Sequence, residues 1–205
     1  MPEKDLHPIV VNYLKEGMKC FAAKKGGGQD YVGIPDAFGI KDIGGLYKSN
    51  IIGIAVEVKP NLNSIAKKLG QALGYSLFSH RCYLAVPKVF SPDHIEMANK
   101  LGVGLLQIKD NTCEKILDSQ SHEPIENLFL SAVYNLGWCR CDICGEFKEH
   151  NKRFTEKNIR FALKDNRIYH RKITPRDKVY YSSRKDRYSF TICPDCMNDI
   201  SINNK

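Results

Sequence analysis

Three residues have types and spacing that could do chemistry together. Asp36 follows Pro35, and twenty-one and twenty-three residues later come Glu57 and Lys59, on either side of Val58. Side chains on a strand alternate between faces, so Glu57 and Lys59 share one face and Val58 points to the other. A carboxylate and an ammonium at the end of an apolar run are costly to desolvate and need a partner. The plain reading is an ion pair at the rim of a sheet. The chemical reading is hydrolysis of a phosphodiester. That reaction needs an activated water, neutralised charge in the transition state and a stabilised leaving oxygen, and a divalent cation held by two or three carboxylates supplies all three. Mg²⁺ or Mn²⁺ takes oxygen ligands and keeps several waters, so Asp36 and Glu57 suffice as a core, and the backbone carbonyl of Val58 adds a further candidate ligand. Lys59 would orient or deprotonate the attacking water.

A second set of residues points to a different metal. Of eight cysteines, Cys141-Asp-Ile-Cys144-Gly and Cys193-Pro-Asp-Cys196 form two Cys-x-x-Cys pairs with 48 residues between them. Four thiolates in two such turns make a closed tetrahedral site of the structural Zn²⁺ kind. Cys139 is a spare thiolate that could replace Cys141. A redox pair would need a thioredoxin-like βαβ setting, and a disulfide framework would need a secretory signal; neither pattern is present. Cys20, Cys82 and Cys113 stand in apolar contexts and read as buried thiols.

The elements that must position these groups follow from the pattern of apolar residues. Leu6, Ile9, Val10, Tyr13 and Leu14 have helical spacing over residues 2–16, with Glu3 and Asp5 at the front. Pro8 fits without a kink only if this helix starts near Asp5 to His7. Residues 24–30, Lys-Lys-Gly-Gly-Gly-Gln-Asp, read as a flexible turn, and residues 31–40 as an extended stretch. Phe38 and Ile40 lead into a strand, and a hairpin-like connection over 41–50 leads into the buried strand 51–59. A helix follows, with Ser64 as the expected N-cap and Ile65, Leu69, Ala72, Leu73 and Leu77 as its apolar stripe. Then come a strand over 82–87, a helix opened by Ser91-Pro92, two short strands over 103–108 and 113–117, and a helix within 123–136. The class is α/β, a mixed sheet flanked by helices. His7 reads as structural or surface, and His80 with Arg81 as a loop cap, with contact to a phosphate the lesser alternative.

In this order and setting the chain resembles the PD-(D/E)XK nuclease superfamily. Pro35-Asp36 matches its PD and Glu57-Val58-Lys59 its (D/E)XK, over about residues 1–118. The resemblance implies a restriction-endonuclease-like core. It also implies that an acid of the first helix joins the metal site, with Glu3 the better match and Asp5 the next. Gln71-Ala-Leu-Gly-Tyr75 resembles the Gln-x-x-x-Tyr element of the RecB-like branch, which implies that Gln71 and Tyr75 lie beside the substrate. The cysteine segment is loosely similar to zinc-ribbon or treble-clef fingers of the kind seen in HNH endonucleases. His150 and His170 are too isolated to make that finger catalytic.

Charge bears on the partner. The chain of 205 residues carries a net +8, and residues 139–190 hold 15 Lys or Arg against 7 acids, so the entire surplus lies there. That is the footprint of a polyanion-binding module, here expected to bind DNA. No run approaches a membrane span and no signal pattern opens the chain, so a cytoplasmic protein is expected. The resulting organisation is a nuclease core over 1–120, a connecting helix over 121–138, and a basic four-cysteine zinc module over 139–205. The expected activity is a metal-dependent deoxyribonuclease, preferably a restriction-type endonuclease. The rivals are a repair or exonuclease role, an RNA-directed nuclease, and a catalytically silent core that only binds nucleic acid. Cutting both strands with one site per chain would call for two subunits, so a homodimer is an expectation of mechanism alone.

Overall fold

Eight consecutive residues, Ile51–Val58, form a strand in which only Ile52 is less than fully buried. Such a run has no solvent face, so the sheet around it must be covered on both sides. The computed structural model describes residues 2–26, 33–44, 50–141 and 144–149. In chain order the elements of the larger part are α1 (Glu3–Glu16), β1 (Ala22–Lys25), β2 (Ala37–Asp42), β3 (Ile51–Val58), α2 (Ile65–Gly74), β4 (Arg81–Val86), α3 (Pro92–Leu101), β5 (Gly104–Lys109), β6 (Thr112–Leu117) and α4 (Glu126–Asn135). A single 3₁₀ turn, Tyr75–Leu77, extends α2.

The six strands form one mixed sheet whose spatial order, β1 to β6, is also their chain order. β3 pairs antiparallel with β2 (Ala37 opposite Val56, Ile40 opposite Gly53) and parallel with β4 (Ala55 opposite Cys82, Val58 opposite Ala85). β4 and β5 are parallel, and β6 returns antiparallel. The parallel steps need crossovers, which α2 and α3 provide. Leu6, Val10 and Leu14 of α1 pack with Ile54, Val56 and Val58 on one face of the sheet. Leu69 and Ala72 of α2 and Ala98 of α3 pack with Leu84, Val86 and Leu105 on the other. α4 also meets the sheet: a Cβ on Gly53 would lie 3.0 Å from the Phe129 ring. Cys20, Cys82 and Cys113 are buried as expected.

Some local expectations need correction. α1 begins at Glu3, so Pro8 sits inside the helix rather than in its first turn. Both Pro8 and Lys4, whose carbonyl loses its partner, are exposed, so water can take the freed group. Lys24 and Lys25 belong to β1, paired with Phe38 and Ala37, and not to a turn. Ser64 makes no side-chain cap and adopts a left-handed conformation, φ 52°. Ser91 does cap α3: its Oγ accepts from His94 N–H, while its own N–H donates to His94 Nδ1.

The chain divides into two compact units, residues 1–46 with 50–136 and residues 47–49 with 137–205. α4 belongs to the first. In the second, β7 (Trp138–Arg140) and β8 (Phe147–Glu149) form an antiparallel hairpin. Between them Gly145 N–H donates to the Cys141 carbonyl at 2.9 Å and Cys141 N–H to the Glu146 carbonyl at 2.8 Å. Gly145 has φ 75°, which a side chain would resist. Gly145 thus closes a tight reversal back onto Cys141. Cys193, Cys196 and most of the basic segment lie outside the described residues, so the four-cysteine Zn²⁺ site and the basic module's fold do too. Among the described residues no helix is long and apolar enough to cross a membrane.

Candidate active site

The site forms where the C-terminal end of β3 meets the start of β2 and the N-terminus of α1. Ala37 opens β2 opposite Val56, so the preceding residue, Asp36, falls beside the end of β3. Its Oδ2 accepts the Val58 N–H at 2.8 Å, which fixes the carboxylate over the strand end. Alternation then does the rest. Val56 and Val58 face α1, and Glu57 faces the opposite side.

Glu57 is only 1% exposed. Its Oε1 lies 2.7 Å from Lys59 Nζ, and its Oε2 accepts a short hydrogen bond from the Tyr75 hydroxyl. Burial pushes its carboxyl above the usual range, the bonds from Lys59 and Tyr75 oppose this, and the Asp36 charge adds to the rise. Lys59 Nζ is also 3.4 Å from Glu3 Oε1 and 3.9 Å from Asp36 Oδ2. Burial would lower the Lys59 pKa, but the hydrogen bond to Glu57 and the charges of Glu57, Asp36 and Glu3 outweigh it and leave it raised. The charged ammonium form of Lys59 is therefore favoured among its three carboxylate neighbours.

Tyr75 is buried, and its pKa is pushed far up, first by burial and then by Glu57. It stays a phenol, donating to Glu57 and more distantly, at 3.4 Å, to the Ile34 carbonyl. Gln71, exposed one turn earlier on α2, opposes this rise from beside the hydroxyl. The Tyr75–Glu57 bond thus ties the end of α2 to β3. Val58 offers the site its amide N–H, in the bond to Asp36 described above.

Glu3 is half-exposed and reaches the cluster, whereas Asp5 faces solvent. The residue that sequence reasoning missed is His7. It is 6% exposed, and neither of its ring nitrogens has a hydrogen-bond partner. Its Nε2 lies 3.5 Å from Asp36 Oδ1. One ligand atom each from Glu3, His7 and Asp36 can be chosen so that all lie within 4.8 Å of one another. The signal was present as Glu3-x-x-x-His7, two donors four apart on one helical face, but Pro8 next door made a continuous helix look doubtful. His80 acts as the expected cap. Its Nδ1 accepts the Gly53 N–H at 3.1 Å, and its ring packs edge-on against Phe129.

No protein-family model matches the chain, and no curated protein matches it. Among solved structures the fold is similar to the SPO1766 protein of unknown function from Silicibacter pomeroyi, at 15% identity and a TM-score of 0.49, over 66% of this chain and 84% of that one.

Proposed function

We propose that the chain is a divalent-metal-dependent nuclease with a site of the PD-(D/E)XK kind on a restriction-endonuclease-like core, and that it hydrolyses DNA. One observation carries this reading. Carboxylates from three distant stretches, Glu3, Asp36 and Glu57, surround a single ammonium, Lys59, at 2.7 to 3.9 Å. Three acids against one base leave two negative charges in a largely buried place, which is costly without a cation to balance them. His7 adds a buried imidazole with no hydrogen-bond partner. The donor set fits a divalent ion: Glu3, Asp36 and His7 are the nearest group to hold it, with Glu57 beside them. Oxygen-rich ligands suit Mg²⁺, and a single imidazole makes Mn²⁺ at least as suitable. Such an ion would supply a Lewis acid and a water of lowered pKa. The protein's own groups do the placing. The Val58 N–H holds Asp36, Tyr75 holds Glu57, and Lys59 donates to the incoming water or to a phosphate oxygen.

DNA is the favoured substrate because the net +8 resides wholly in residues 139–190, where each Lys or Arg can neutralise a phosphate. Cys141 and Cys144 are the near half of the proposed four-cysteine Zn²⁺ site, with Cys193 and Cys196 the other half. A restriction-type endonuclease, acting as a homodimer on duplex, is the preferred biology. The rival is a silent core that only binds nucleic acid, and the engagement of both Glu57 oxygens by Lys59 and Tyr75 favours it. The test is direct. Circular and linear DNA, and RNA, are incubated with Mg²⁺ or Mn²⁺ and then with chelator. Cleavage should require the ion and fall by about a hundredfold or more in Asp36→Asn and Lys59→Gln, with folding checked by circular dichroism. His7→Asn should raise the Mn²⁺ concentration needed by about tenfold. Cleavage that survives both Asp36→Asn and Lys59→Gln removes this site; no cleavage of any substrate leaves the silent core.

A further inference from the structure

Lys68 is a cation close to the acids that none of these roles uses. It lies on α2, three residues before Gln71, and is half-buried. Its Nζ donates to Asn61 Oδ1 at 2.6 Å and to the Asn61 carbonyl at 2.7 Å. Asn61 stands two residues beyond Lys59, so the clamp hangs from the same strand end that carries the site. Both acceptors are neutral. Among the described residues no carboxylate lies within ion-pair distance of Lys68, while Lys59 has three such neighbours. Burial lowers its pKa, the charge of Lys59 lowers it further, and Glu3 pulls the other way, so this ammonium feels the charges of Lys59 and Glu3.

A partly desolvated ammonium fixed by two neutral oxygens is not a satisfied structural pair. It keeps a third N–H donor and its whole charge for an anion. Lys59 is ringed by carboxylates, so the phosphate to be cut would be served there. Lys68 stands outside that ring, with no carboxylate of the described residues paired to it. We propose that Lys68, steered by Asn61, binds a non-bridging oxygen of the phosphate flanking the scissile one. The word scissile rests on the nuclease reading; the phosphate contact rests on the clamp.

The experiment is a salt titration of the full chain on labelled duplex DNA, with no Mg²⁺ or Mn²⁺ added, so that nothing is cut and the proposed Zn²⁺ is kept. Lys68→Ala should weaken binding by about tenfold. It should also reduce the slope of log affinity against log salt by about 0.9, one phosphate contact. Lys68→Arg should recover most of the binding and Asn61→Ala lose part of it. Lys67→Ala, at the exposed neighbour, should leave the slope unchanged. In cleavage assays Lys68→Ala should raise KM with little change in kcat. An unchanged salt slope in Lys68→Ala, or a loss no larger than that of Lys67→Ala, overturns the proposal. DNA binding that depends on Lys68 in a protein that cleaves nothing would remove the nuclease reading and leave this contact standing.

Discussion

Lys59 and Glu57 depend on each other unequally. Glu57 is nearly inaccessible, while Lys59 keeps some contact with water and has Glu3 and Asp36 as further partners. Removing the lysine strands a buried carboxylate; removing the carboxylate leaves a lysine that still has two. Lys59→Met should therefore lower stability at neutral pH by about 3–5 kcal/mol, the usual penalty for breaking a buried pair from one side. Glu57→Gln should cost much less, because Tyr75 can still donate to the amide oxygen. The double variant should recover most of what Lys59→Met loses. Urea denaturation of the three proteins measures this, and a double variant as unstable as Lys59→Met would mean that the pair is not coupled as drawn. The same residues show what a sequence reveals of a site. Asp36, Glu57 and Lys59 were legible because strand alternation and a hairpin bring them together wherever they occur in this order. His7 was not, because its role comes from a helix docking over the strand end, which no local spacing encodes.

The elements with a continuous apolar pattern came through best. β3, α3 and the last two strands lie within a residue or two of where periodicity puts them, since each is defined by burial and by clear breakers. The errors fall where polar or small residues meet tertiary context. Lys24 and Lys25 extend β1 because β2 offers them a ladder, although their own preference is for a turn. Ser64 turns left-handed and leaves α2 without a side-chain cap. His80 shows an element junction whose worth depends on pH. Its ring accepts the Gly53 N–H, which only the neutral imidazole can do, and its pKa is lowered from 6.5, first by burial and then by Arg81. The unfolded chain thus takes up a proton before the folded one. Stability from this group is present above the ordinary histidine range and is lost as pH falls through and below it. His80→Asn offers an acceptor but no titration, so its stability should fall less than that of the natural chain over the same acid range. Parallel losses in the two proteins would remove His80 as the cause.

For the whole molecule, the two units make separable claims. The first holds every proposed catalytic residue; the second holds the cysteines of the proposed Zn²⁺ site and the positive charge. A fragment ending at Leu136 should keep its far-ultraviolet dichroism and its metal-dependent cleavage. It should bind no zinc, where the full chain binds one ion, and its DNA affinity should be weaker with a shallower salt dependence. Loss of folding in that fragment, or zinc retained by it, would contradict the division. The sheet carries one more consequence. Because β1 to β6 lie side by side in the order in which they are made, each strand can pair with the one just before it as the chain emerges. α1 is the exception. It is made first, yet its footing includes Leu106, Ile108 and Cys113, made near the end of the sheet. Its apolar stripe can begin to seat on β1, β2 and β3 as they form, but its footing is finished only when β5 and β6 arrive. The first helix synthesised is thus the last to be fully seated, and the ground under Glu3 and His7 is completed only when the sheet is.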